Sequence, residues 1–139
     1  MKIDSFSGAY RFLSNFSPAP VEYDGQLYPT VENAYQAAKT VDKGRRQVIR
    51  GMSPGQAKRY GRHVPLRPDW ERVKVQVMLE LLRQKFASPV LSRELYSTGD
   101  AELVEGNYCG DTYCGVCKGV GENALGKLLM QIRGELKGS

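Results

Sequence analysis

The stretch from Trp70 to Phe86 constrains this chain more than any other. Read at 3.6 residues per turn, its polar positions fall on one stripe, Arg72, Gln76, Glu80 and Arg83. Trp70, Val73, Val77, Met78, Leu81 and Leu82 cover much of the remaining surface. A helix with so wide an apolar arc has to be surrounded, so the spacing predicts a central, largely buried helix opened by Asp69 as N-cap. With 139 residues the chain can bury such a helix inside one domain covering 1–139. It contains no run of eighteen apolar residues, and Met1-Lys-Ile-Asp-Ser5 lacks the apolar core of a secretory leader. The expectation is a soluble, cytoplasmic protein with no membrane partner.

The other elements follow from local signals. Lys2 to Phe6 reads as a short strand, and Tyr10 to Phe16 as an aromatic-rich loop, because Pro18 and Pro20 forbid a helix there. Asp24-Gly25 between alternating apolar residues predicts a hairpin over 21–28. Thr30 caps a helix reaching Lys39, and a short helix over 42–50 ends at Gly51. Ser53-Pro-Gly-Gln56 carries the residues of a capping box and opens a third helix through about Tyr60. Ser88-Pro89 starts another helix that ends near Thr98-Gly99-Asp100, 101–105 reads as a strand, and Leu125, Leu128, Leu129, Ile132 and Leu136 give an amphipathic last helix. The fold class is therefore α+β: mainly helical, with a small mixed or antiparallel sheet.

Three places could carry chemistry. On the helix after Thr30, Glu32, Gln36 and Lys39 share one stripe, so a carboxylate, an amide and an amine line up beside the Val31, Tyr35 and Ala38 face. The same residues also suit the helix dipole and a solvated face. The second place is 106–123, a stretch with five glycines and two tyrosines, Tyr108 and Tyr113. There Gly119-Val-Gly121 runs into the start of the last helix, where backbone N–H groups suit an anion, and Asp111 is either an acid or an Asx-turn. The third is the candidate binding segment Ser14, Asn15 and Phe16, in which Ser14 and Asn15 are polar groups held between Phe12, Leu13 and Phe16 that either satisfy a turn or reach sugar hydroxyls. Net charge is +5 with a pI near 9.2, and Lys43, Arg45, Arg46, Arg50, Lys58, Arg59, Arg62 and Arg67 cluster on turn-rich elements, which tilts the surface toward anionic partners. Three cysteines at 109, 114 and 117 with one histidine, His63, make a poor zinc set and point to inert pocket-lining thiols. A nucleotide-like ligand would use the helix, the glycines, the aromatics and the basic rim together.

Phe12-Leu-Ser-Asn-Phe16, Tyr28-Pro-Thr-x-Glu-x-Ala-Tyr-Gln-Ala-x-Lys39, Asp69-Trp-Glu-x-Val-Lys-x-x-Val-Met78, Thr98-Gly-Asp100 and Gly119-x-Gly-x-Asn-x-Leu-Gly126 together resemble the NADAR (YbiA-like) family. The blocks occur in family order and cover nearly the whole chain. The resemblance implies a mainly helical α+β domain that cleaves N-glycosidic bonds of ribose- and phosphate-bearing molecules without metal or redox cofactor. It makes Glu32, Lys39 and Asp111 the catalytic group. Lys39 would trap ring-opened ribose as a Schiff base, Glu32 would hold hydroxyls and shuttle protons, and Asp111 would orient the sugar or act as acid/base partner. Gly119, Gly121 and Asn123 match the family's glycine-rich helix start. At Cys109 and Cys114 the chain departs from the pattern, since family members usually carry tryptophans there; Tyr108 or Tyr113 could replace those stacking walls.

Three functions are consistent with this reading. The first is an N-glycosidase acting on ADP-ribosylated guanine in DNA or RNA, or on a related ADP-ribose conjugate. The second is a hydrolase of ribose-phosphate intermediates of riboflavin synthesis. The third is a protein that binds ADP-ribose or a signalling nucleotide without turnover.

Overall fold

In a computed structural model that describes residues 1–107 and 110–138, the elements run in chain order as β1 (Lys2–Ile3), a 3-10 helix (Gly8–Leu13), β2 (Val21–Tyr23), β3 (Gln26–Tyr28), α1 (Val31–Ala38), α2 (Lys43–Arg50) and α3 (Pro54–Tyr60). They continue with α4 (Trp70–Lys85), α5 (Pro89–Ser97), β4 (Glu102–Leu103), β5 (Gly106–Asn107), β6 (Val116–Cys117) and α6 (Ala124–Lys137). The chain divides into two compact units, Asn15–Lys85 and a second made of Met1–Ser14 with Phe86–Ser139.

The Asn15–Lys85 unit is built around α1, which contacts the β2–β3 hairpin, α2, α3 and α4. On α4 the expected polar stripe is exposed, while Trp70, Val77, Met78, Leu79, Leu81 and Leu82 are buried. Local chemistry fixes the shorter elements. Asp24 and Gly25 both take positive φ (49° and 81°), the type I′ geometry that matches strand twist, and the hairpin pairs Val21 with Tyr28 and Tyr23 with Gln26. The capping box on α3 is complete: Ser53 Oγ accepts from Gln56 N at 3.2 Å, and Ser53 N donates to Gln56 Oε1 at 3.0 Å.

In the other unit α6 lies against α5 and β4, and β1 pairs in parallel with β4. β5 and β6 form a second parallel pair. The α+β class therefore holds, but among the described residues the strands form three separate two-stranded ladders rather than one sheet. Runs this short leave the helices to supply most of the buried apolar surface.

Candidate active site

Every residue of α1 is buried, polar ones included. Its N-terminus is fixed by Thr30, whose Oγ1 accepts from Asn33 N at 3.1 Å and donates to Asn33 Oδ1 at 2.6 Å. The Asn33 amide donates in turn to the carbonyls of Ile49 and Met52, both at 2.9 Å, tying the helix to the end of α2. At the other end Arg46 Nε donates to the Ala37 and Thr40 carbonyls, and Arg67 N donates to the Lys39 carbonyl at 2.7 Å. A helix held this firmly presents its remaining side chains with little rotational freedom.

Those remaining polar side chains are Glu32, Gln36 and Lys39. Glu32 and Gln36 are only 4% and 3% exposed. Gln36 Nε2 donates to Glu32 Oε2 at 2.6 Å. Lys39 is the C-cap residue, half-buried, with Nζ 5.9 Å from the Tyr35 ring centroid. Tyr35 in turn meets Trp70 at 5.1 Å between centroids and 60° between planes. The α1 stripe expected from spacing is thus real, but it does not flank a buried face, because the whole helix is inside.

Asn15 joins the same unit through its backbone: its carbonyl accepts from Glu32 N at 3.1 Å, and its Oδ1 is buried with no hydrogen-bond partner among the described residues. Phe16 is half-buried, with Lys58 Nζ 5.9 Å from its ring centroid. The residue that sequence reading missed is Lys85. It is 2% exposed, and its Nζ donates to Ser17 Oγ at 3.0 Å. Burial pushes its amine down from 10.5 to about 7. The signal was available: position 85 follows Met78, Leu81 and Leu82 on the apolar arc of α4, where a lysine is out of place.

In the Met1–Ser14 and Phe86–Ser139 unit, Ser14 closes the 3-10 helix, its N donating to the Arg11 carbonyl at 2.9 Å. Asp111 takes the Asx-turn form: its Oδ1 accepts from Tyr113 N at 3.1 Å and Cys114 N at 3.0 Å. Asn107 braces it from both sides, accepting from Asp111 N and donating to the Asp111 carbonyl. Asn123 is buried in left-handed conformation (φ 53°, ψ 42°) before α6. Its amide donates to the Leu103 carbonyl at 2.9 Å and accepts from Glu105 N at 3.0 Å. The N–H groups of Glu122, Asn123, Ala124 and Leu125 donate to the carbonyls of Thr112, Gly115, Tyr113 and Cys114. These helix-start donors, which the sequence suggested for an anion, are therefore already engaged. Gly119 and Gly121 are exposed with φ of 79° and 153°. Tyr113, Cys114 and Cys117 are half-buried, and Tyr108 and Cys109 lie outside the described residues. Among the described residues no group of three or more His, Cys, Asp or Glu side chains could hold a metal ion, and no helix is long and apolar enough to cross a membrane.

Comparison with known proteins supplies the family. The NADAR domain model matches residues 4–137. N-glycosidase YbiA of Escherichia coli strain K12 is 43% identical over 137 residues, covering 95% of this chain and 85% of that protein. The riboflavin biosynthesis protein VVA0006 of Vibrio vulnificus is 35% identical over 130 residues, covering 91% of this chain but 35% of that protein. The NMR structure of the E. coli protein YbiA superimposes with a TM-score of 0.82 at 40% identity, covering 99% of this chain and 87% of the other. With the match spanning almost all of its residues, this chain belongs to the NADAR family, whose named members include N-glycosidases.

Proposed function

We propose that this protein is an N-glycosidase that hydrolyses the bond between ribose C1 and the guanine nitrogen in ADP-ribosylated nucleic acid, or in a closely related ADP-ribose conjugate. One observation carries the reading: a carboxylate buried to 4% exposure lies on α1, and an amine seven residues on caps the C-terminus of the same helix, which is tied to its surroundings at both ends. The Gln36 amide bonds one oxygen of that carboxylate, which offsets part of the cost of its burial and holds it in place.

In this mechanism Glu32 holds ribose hydroxyls and moves the proton that ring opening requires. The Lys39 amine forms a bond to C1 as the C1–N bond to the base breaks, and the base leaves with a proton. Lys39 is then bonded to C1 as a ribosylamine. The C1–O4 bond breaks as O4 takes the proton from Glu32, leaving an iminium. Water adds to its carbon, the amine leaves, and the sugar recloses as free ADP-ribose. One water is consumed and nothing is oxidised. The family resemblance gives Asp111 an orienting or acid/base role. Asn15 and Phe16, in the same unit as Glu32, would contact the ligand. The stretch 43–67 holds eight basic and no acidic residues, which favours a polyanionic substrate.

The test is release of ADP-ribose from a modified oligonucleotide. Lys39→Ala and Glu32→Gln should each lower kcat by about 10²–10⁴-fold while the melting curve stays cooperative. Full activity in Lys39→Ala rejects the amine mechanism. A second reading, hydrolysis of ribose-phosphate intermediates of riboflavin synthesis, is favoured by the name of the Vibrio relative. If ribose 5-phosphate binds as tightly as ADP-ribose, that reading replaces the first.

A further inference from the structure

Gly61 ends α3 with ordinary right-handed backbone (φ −61°, ψ −18°), a conformation open to any residue. Space, not flexibility, is what excludes a side chain there. A Cβ on residue 61 would overlap Gln36 Oε1 and stand 2.7 Å from Gln36 Cδ. The Gln36 amide therefore lies flat against the Gly61 backbone, with Nε2 directed at Glu32 and Oε1 at no hydrogen-bond partner among the described residues. Turning the amide over would place its oxygen against the carboxylate, so the donor to Glu32 dictates its orientation. An orphaned buried acceptor is unfavourable, which means that the bond on the other side of the amide is what holds this arrangement.

We infer that Gly61 and Gln36 are positioning residues that fix the Glu32 carboxylate: the missing side chain at 61 leaves the room in which the Gln36 amide lies while reaching Glu32. This rests on the reading of Glu32 as the proton-handling group. It moves Gln36 from the ligand-contacting role expected from its place on the α1 stripe to one exerted through its neighbour. A methyl at 61 would displace the flexible end of a side chain rather than backbone, so the fold can absorb it. What cannot survive the displacement is the 2.6 Å bond to Glu32.

The experiment uses the full chain with Gly61→Ala, Gln36→Ala and the double variant. One readout is the ¹H–¹⁵N resonance and exchange rate of the Gln36 side-chain amide, and the other is kcat and KM on ADP-ribosylated oligonucleotide. Gly61→Ala is expected to lose the slowly exchanging amide proton and about tenfold in kcat, the scale of one misplaced catalytic contact. KM should move less than about twofold, because ground-state binding is not what the pair serves. In the Gln36→Ala background the same substitution should change nothing further, since the atoms it strikes are gone. If Gly61→Ala fails to fold, the double variant should fold. Wild-type kcat with an intact Gln36 signature in Gly61→Ala overturns the inference. So does a loss that adds in full to that of Gln36→Ala, or failure of both variants to fold. Loss of the Gln36 signature in a protein whose wild type cleaves no N-riboside keeps the contact and discards the N-glycosidase reading.

Discussion

The Asn15–Lys85 unit and the glycine-rich 110–123 stretch are both polar, but they use their polar side chains differently. In the first, Gln36 bonds to Glu32 and Lys85 to Ser17, side chain to side chain. In the second, Asp111 and Asn123 bond to main-chain groups of their surroundings. A helix satisfies its own N–H and C=O groups, so on α1 Glu32 and Gln36 bond to each other, while Asn33 reaches out to the carbonyls of Ile49 and Met52. A loop has no such ladder, and its asparagines and aspartates are drawn into supplying the missing partners. Polar residues on α1 are thus candidates for chemistry by default, whereas those of the loop must first be shown to have a group left over.

The sharpest way to break this contrast concerns Lys85. Its folded-state amine titrates near 7, against 10.5 when solvated. Between those values the unfolded chain holds a proton that the folded chain lacks, so stability should rise with pH across that window by about 1.4 kcal/mol per unit and be flat in this respect below it. Denaturant midpoints from pH 6 to 10 on wild type and Lys85→Met measure this. The variant should lack that slope, and parallel curves would show that the amine is not desolvated.

Asp111→Asn comes next. Asparagine keeps the oxygen that accepts from Tyr113 N and Cys114 N, so the turn and the melting temperature should be retained. If the carboxylate also serves catalysis, kcat falls by roughly 100-fold. Unchanged turnover would confine Asp111 to the turn and complete the contrast. The smallest effect is expected from Asn123→Ala, which orphans the buried Leu103 carbonyl and the Glu105 N–H. Chemical denaturation should show a loss of about 2 kcal/mol, with activity per folded molecule little changed. A large loss of activity at full stability would instead mean that this amide also serves a ligand.

Much of the fold was legible residue by residue. The apolar arc of α4, the Asp24-Gly25 turn, the Ser53–Gln56 box and the breaks at Gly51 and Thr98-Gly99 all appear where local chemistry puts them. Ser88 precedes α5 as expected but makes no side-chain cap bond. Among the described residues the strands form three two-stranded ladders, a partition that local signals do not carry, because strand pairing depends on partners a hundred residues apart, such as Ile3 and Leu103. At the candidate site, spacing revealed that Glu32, Gln36 and Lys39 share a stripe, and motif order revealed the family.

The sequence by itself determined the helices, their ends, the hairpin turn and the set of chemically able side chains, because periodicity, caps and turn residues act over a few positions. Tertiary structure alone decided that α1 would be buried all round. It also decided that residue 61 must lack a side chain to accommodate the amide of residue 36, and that the first N–H groups of α6 would be taken by carbonyls of 112–115. Each of these depends on which distant atoms exclude solvent or occupy space beside a group. No run of neighbouring residues contains that information.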